Sequence, residues 1–72
     1  MSTPILELSR AALALRHSPI RALRKLSVEE TDALVVIQGS VPSYYYKQLA
    51  QETVMPLLGR RELRNRVAVV RA

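Results

Sequence analysis

The side chains of this chain that could do chemistry are a single histidine, several serines, a short acidic cluster and many arginines. His17 is the only imidazole, and no serine has an evident base partner of the kind that nucleophilic catalysis needs. Glu29, Glu30 and Asp32 stand close together, but their spacing is typical of a polar turn and lacks the ligand pattern of a calcium loop. The residues therefore predict no enzyme, no metal site, no cofactor and no small-molecule substrate.

The cationic side chains are arranged in two blocks around an acidic one, for a net charge of +5. Residues 1–28 and residues 59–72 each carry five cations against one acid, whereas residues 29–58 carry one cation against four acids. Most of the cations are Arg, whose planar guanidinium suits phosphate and carboxylate groups. Two interpretations stay open, a solubilising surface and attraction to an anionic polymer or lipid surface. Under the second, the candidate anion- or lipid-binding residues are Arg10, Arg60, Arg61, Arg64 and Arg66.

The length and composition predict one small domain over residues 1–72 that associates with itself. The chain has no Cys, Phe or Trp, so no disulfide stabilises it and its core must consist of Leu, Ile, Val and Ala. A core of this size rarely supplies more than about 3–5 kcal/mol. A homo-oligomer is therefore expected.

The beginning of the chain does not resemble an export signal, because Glu7 and Arg10 interrupt the apolar residues between Ile5 and Leu15. No stretch approaches the roughly 20 apolar residues that span a bilayer. The expected location is cytoplasmic, or peripheral at a membrane.

Apolar periodicity and turn residues predict an α+β domain with the order helix, strand, strand, helix, strand. Thr3-Pro4 is typical of a helix start and Ser18-Pro19 of an end, while Pro42-Ser43 and Gly59 bracket the second helix. Two helices are expected to pack on one face of a three-stranded sheet. The predicted bounds are helix 4–16, strand 22–29, strand 33–41, helix 43–58 and strand 61–70.

Alternation along the second strand predicts which residues face the helices. Val35, Ile37, Gly39 and Val41 share one face, and Gly39 is expected to let a helix approach closely. The opposite face is apolar as well, which soluble monomers usually avoid. It is a candidate dimer surface formed by Leu34, Val36, Ala68 and Val70.

The predicted first helix carries a second stripe opposite its core face. Leu6, Leu13 and His17 lie on this stripe together with Arg10, and we call these four residues the outward ridge. A basic and apolar ridge can contact an anionic membrane, or it can meet the same ridge of a second copy. Both alternatives remain open, with the dimer slightly favoured because the core is small.

Residues of the second half resemble a known family. The chain resembles the BON domain of bacteria (bacterial osmotically inducible and nodulation), over residues 18–70. The residues that carry this resemblance are Gly39-Ser40-Val41, Pro42-Ser43-Tyr44-Tyr45, Gln48-Leu49-Ala50, Gly59 and Asn65. Arg60 departs from the family pattern, which usually has an aliphatic residue there, so Arg60 and Arg61 are expected to be exposed.

The resemblance implies a non-enzymatic binding or assembly module, commonly associated with phospholipid membranes or with protein partners. Non-specific nucleic-acid binding is the alternative. It is less favoured because the chain has neither a Gly-x-x-Gly loop nor aromatic residues on the sheet. Tyr44 and Tyr45, at the start of the second helix, are expected to cover the edge of the sheet.

Overall fold

The computed structural model describes residues 9–71, and in this part of the chain the predicted α+β class is confirmed. A three-stranded sheet has helices packed on one face, and a short extra helix precedes the first strand. The elements are α1 (Arg10–Arg16), α2 (Arg21–Arg24), β1 (Ser27–Glu30), β2 (Leu34–Val41), α3 (Tyr44–Val54), a 3-10 turn (Met55–Leu57) and β3 (Glu62–Val69).

Within the described residues, helix α1 begins at Arg10. Ser9 has extended backbone angles, and its hydroxyl oxygen accepts a hydrogen bond from the Ala12 amide at 2.9 Å. Serine competes with the helix interior in this way and favours the cap position. The predicted Thr3-Pro4 start lies outside the described residues.

The strand predicted over residues 22–29 is wrong in its first half, where helix α2 forms instead. The Ser18 hydroxyl accepts a hydrogen bond from the Ile20 amide at 3.0 Å, and the Leu23 and Leu26 amides then bond back three residues. Ile20, Leu23 and Leu26 therefore follow a helical spacing of three rather than the alternation of a strand. Leu26 still faces inward as predicted, because it ends this turn beside the buried Leu23.

The sheet is mixed, with β2 at its centre. Strand β1 pairs with β2 as the predicted antiparallel hairpin, whereas β3 pairs with β2 in parallel after the α3 crossover. Because paired residues share a face of a sheet, Val35 and Leu63 point the same way, as do Ile37 and Asn65. This register places the predicted inward residues of β2 towards α1 and α3.

The core lies between the sheet and the two longer helices. Val35, Ile37 and Val41 are buried as predicted. They pack with residues of the helices and of β3, among which the buried ones are Ala11, Leu15, Leu23, Ala50, Val54 and Val67.

The neighbour of Gly39 is a side chain and not a helix, which corrects the prediction for this residue. A Cβ atom at position 39 would lie 2.7 Å from Cδ2 of Leu26, and Gly39 has a φ of +133°. Glycine is thus required both by its backbone conformation and by the leucine that packs over it.

Helix α3 starts after Ser43 and tightens at its end, where Pro56 has no backbone N–H to donate. Its last hydrogen-bonded turn becomes the 3-10 turn Met55–Leu57, and Gly59 follows with a φ of +64°, in the left-handed region that ends many helices. Ser43 precedes the helix with extended backbone angles, but its hydroxyl makes no capping hydrogen bond.

Candidate functional site

An open groove lies where the exposed side of α1 meets the end of α3. It has a volume of about 450 Å³, and we call it the α1 groove; its lining residues are Arg10, Leu13, Ala14, His17 and Leu57. Three of them belong to the predicted outward ridge, namely Arg10, Leu13 and His17. The fourth, Leu6, lies outside the described residues. The groove combines an apolar floor with cationic or imidazole side chains, and the described residues that line it include no carboxylate.

A second open cleft of about 400 Å³ adjoins the α1 groove through His17. We call it the basic cleft; it is lined by Arg16, His17, Ser18, Pro19 and Arg24. Arg24 is held in place by its Nε, which donates to the Ser18 carbonyl at 2.8 Å, and by Nη2, which donates to that of Pro19 at 3.3 Å. Both contacts are to neutral carbonyl oxygens, so the charge of Arg24 has no acidic partner there.

Arg16 and Arg24 were not among the predicted site residues. Arg24 reaches the cleft because α2 turns the chain back after Pro19. The strand predicted over residues 22–29 did not allow for this turn. Ser18-Pro19 followed by an apolar residue every third position is typical of a helix start. This pattern would have brought Arg24 next to the end of α1.

Arg61 is not exposed, which corrects the prediction for the Arg60-Arg61 pair. The Arg61 guanidinium forms an ion pair with Glu30, and its Nε and Nη2 donate to the carbonyl oxygens of Leu58 and Leu57 at 3.0 and 2.9 Å. The Arg61 and Glu30 side chains are 25% and 20% exposed. Arg61 therefore ties the end of α3 to β1 and has few donors left for an external anion.

The carboxyl of Glu30 has a pKa below its ordinary value of 4.5. Partial burial by itself raises the pKa of Glu30. The Ser9 hydroxyl and the Arg61 guanidinium together lower this pKa by more than burial raises it. Glu30 Oε2 makes no hydrogen bond of normal geometry to a described residue, so Arg61 is the direct partner. Glu30 is thus a charged group that stabilises the junction between α1, β1 and the end of α3.

The remaining predicted arginines are exposed but lie apart from the α1 groove. Arg60 is in the turn after Gly59, while Arg64 and Arg66 project from the face of β3 opposite the helices. The structure therefore does not gather the five predicted arginines into one site. Arg10 is the only one of them that lines the groove.

The candidate dimer surface occupies the face of the sheet opposite the helices. Leu34 and Val36 are partly buried on the central strand, whereas Ala68 and Val70 at the edge are exposed, Val70 to 58%. Among the described residues, no helix covers this face. It is a second surface, separated from the α1 groove by the sheet and the core.

Asn65 connects β3 to α3 and is not free to bind a ligand. Its Nδ2 donates to the Lys47 carbonyl at 3.1 Å, and its Oδ1 accepts from the Val67 amide at 3.1 Å. The asparagine that contributed to the family resemblance therefore has a structural role in this chain.

Tyr44 and Tyr45 are 63% and 66% exposed, so they leave most of each ring in solvent instead of covering the sheet. Tyr46, in contrast, packs against the core and contacts the Tyr45 ring edge-on, with 5.4 Å between the ring centroids. Two aromatic rings at the start of α3 are thus available to a partner.

Within residues 9–71, no three acidic or histidine side chains are grouped so that they could hold a metal ion. In the same range, no helix has the length and apolar character needed to cross a bilayer. The described surface features are therefore the two openings beside α1, the outer face of the sheet and the exposed tyrosines.

Comparison of the chain with protein-family models, curated proteins and solved structures gave no match in any of the three. The resemblance to the BON domain therefore stays a prediction.

Proposed function

We propose that this domain is a non-enzymatic binding module of the BON type that associates with anionic phospholipid surfaces through the α1 groove and the basic cleft. The observation that carries the proposal is the arrangement of these two openings, which share His17 and whose linings, among residues 9–71, include no carboxylate. Arg10 lies beside the apolar floor of the α1 groove, and Arg16 and Arg24 line the adjoining basic cleft. Apolar side chains next to cations suit a membrane surface, where phosphate headgroups lie above the acyl chains.

The expected affinity is low for a single domain. A cation close to an anionic membrane contributes about 1 kcal/mol to the binding free energy. Leu13 is 38% exposed, so only part of this side chain remains to be buried in the membrane. Such binding is weak and reversible. Several domains held together would bind much more tightly, because each further contact becomes intramolecular.

Co-flotation with liposomes tests this proposal. The protein is expected to float with vesicles that contain phosphatidylglycerol at low salt, less at moderate salt, and not with purely phosphatidylcholine vesicles. Leu13→Glu should lower the partition coefficient by about tenfold, because it removes the apolar contact and adds a negative charge at the groove. Equal flotation with neutral vesicles, or an unaffected Leu13→Glu variant, would contradict the proposal.

Nucleic-acid binding is the second candidate, favoured by the exposed rings of Tyr44 and Tyr45. Base stacking on an aromatic side chain contributes about 1–3 kcal/mol, and the net charge of +5 adds non-specific attraction to phosphates. This alternative places the contact at the start of α3 and not at α1.

A gel shift with mixed single-stranded RNA and DNA tests the second candidate. If the domain binds nucleic acid through the tyrosines, Tyr45→Glu should weaken the affinity by about tenfold. Leu13→Glu should weaken it less, because this variant adds the same negative charge but removes no stacking ring. Each variant adds one negative charge at an exposed position, so each is the matched control for the other in both assays. No shift at low salt would exclude this candidate.

A further inference from the structure

One row across the outer face of the sheet holds an acid, an apolar residue and a base. Glu29 on β1 is paired with Val36 on β2, and Val36 is paired with Arg64 on β3. Because paired residues share a face, all three side chains project away from the helices. The acid and the base thus stand on opposite sides of the apolar residue at the same height along the strands.

Neither charge of this row is neutralised within the described part of the chain. The ion pair found there joins Arg61 to Glu30, and both Glu29 and Arg64 are exposed. Two strand spacings of about 4.8 Å separate the backbones of Glu29 and Arg64, with Val36 between them. Both charges are therefore available to an external partner that presents a base opposite Glu29 and an acid opposite Arg64.

We propose that the outer face of the sheet binds a second copy of the chain, with a two-fold axis that runs parallel to the strands and passes above Val36. This operation places β1 of one copy over β3 of the other. Glu29 of each copy then faces Arg64 of the other, and the two Val36 side chains meet on the axis. The row is complementary to itself, which is what a two-fold interface requires.

The charges also exclude the other face-to-face arrangement. A two-fold axis perpendicular to the strands would place β1 over β1 and β3 over β3. With that axis above Val36, Glu29 would face Glu29 and Arg64 would face Arg64 across the interface, and these like charges oppose association. Sheets that pack face to face usually keep their strands within about 30° of each other, and the proposed axis keeps the strands of the two copies aligned in this way.

The neighbouring row agrees with the same axis. Ser27, Gln38 and Arg66 are in register on the same face. The axis brings the two Gln38 amides together, where each can donate to and accept from the other, and it places Ser27 opposite Arg66. Leu34, next to Val36 on this face, extends the apolar centre of the interface. A polar and charged rim around an apolar centre is the usual composition of a protein interface.

Sedimentation equilibrium from micromolar to millimolar concentration tests the proposed dimer. The wild-type chain is expected to dimerise, and Arg64→Glu and Glu29→Arg should each weaken the dimer by at least about tenfold, because each creates two repulsive contacts per dimer. The double variant Glu29→Arg with Arg64→Glu should restore dimerisation to within about threefold of the wild type.

Two control variants separate this pairing from the effect of net charge. Arg60→Glu and Asp32→Arg make the same charge changes at exposed positions outside the rows, and both are expected to leave the dimer constant nearly unchanged. Circular dichroism checks that every variant is folded. A wild-type chain that is monomeric throughout, single variants no weaker than their controls, or a double variant that does not recover would each overturn the proposal.

Discussion

Replacing Gly39 with alanine is expected to lower the free energy of unfolding by about 3 kcal/mol. The backbone at this position has a φ of +133°, and an added Cβ would lie 2.7 Å from Cδ2 and 3.4 Å from Cα of Leu26. Leu26 is itself buried and packs in the core, so it cannot move away without loss of contacts. A domain of this size has only about 3–5 kcal/mol of stability, and the variant should therefore be largely unfolded.

Urea denaturation followed by far-ultraviolet circular dichroism measures this effect, and Gly59 provides the matched control. Gly59 also has a positive φ, of +64°, but an added Cβ would meet no atom within 4 Å. Gly59→Ala should therefore cost only the strain of the left-handed conformation, about 1 kcal/mol. Equal losses in the two variants would show that the contact with Leu26 has no energetic role.

The two faces of β2 could be predicted from the sequence because alternation has a period of two residues. Once Val35 and Ile37 are assigned to one face, Val36 must lie on the other, and Pro42 fixes where the strand ends. The same reasoning gave the inward face of β3, where Val67 is buried. Gly39 was expected to let a helix approach closely, whereas the Leu26 side chain is what lies over it.

The contacts that depend on the third dimension could not be predicted in this way. Alternation alone does not show that Leu26, at the end of a helical turn, packs over Gly39. The short helix α2 was missed because the helical spacing of Ile20, Leu23 and Leu26 covers only a few residues. The alternation of the residues that follow was the stronger pattern, and it predicted a strand. Ser9 was missed as a cap because Thr3-Pro4 offers an equally good start earlier in the chain.

Part of the α1 groove was predictable, since Arg10, Leu13 and His17 follow a helical spacing. Leu57 could not be added to them, because its place depends on how the end of α3 packs against α1. The arginines show the same limit. The five predicted cations look equivalent in the sequence, yet the structure gives them four different places. One lines the groove, one lies in the turn after Gly59, and two lie on the opposite face of the sheet. The fifth, Arg61, is held by Glu30 and two carbonyl oxygens.

Replacing Arg61 with methionine is expected to lower the free energy of unfolding by about 2–3 kcal/mol at neutral pH. The substitution keeps much of the aliphatic stem but removes the donors to the Leu57 and Leu58 carbonyls and leaves the Glu30 carboxylate without its direct partner. Glu30→Gln should cost less, about 1 kcal/mol, because the amide can still accept a hydrogen bond from Arg61. The double variant should be less destabilised than the sum of the two single variants, since both remove the same contact.

The stabilisation of the fold by Glu30 should also decrease at acidic pH. Its pKa is lower in the folded chain than the ordinary value of 4.5, so the carboxylate stabilises the fold above that pH and the contribution is lost as the pH falls through the folded value. The difference between wild type and Glu30→Gln, measured by urea denaturation, should therefore be constant near neutral pH and shrink below about pH 4.5. A difference that stays constant into acid would mean that the ion pair with Arg61 does not stabilise the fold, and Arg61 would then act through the carbonyl oxygens of Leu57 and Leu58 alone.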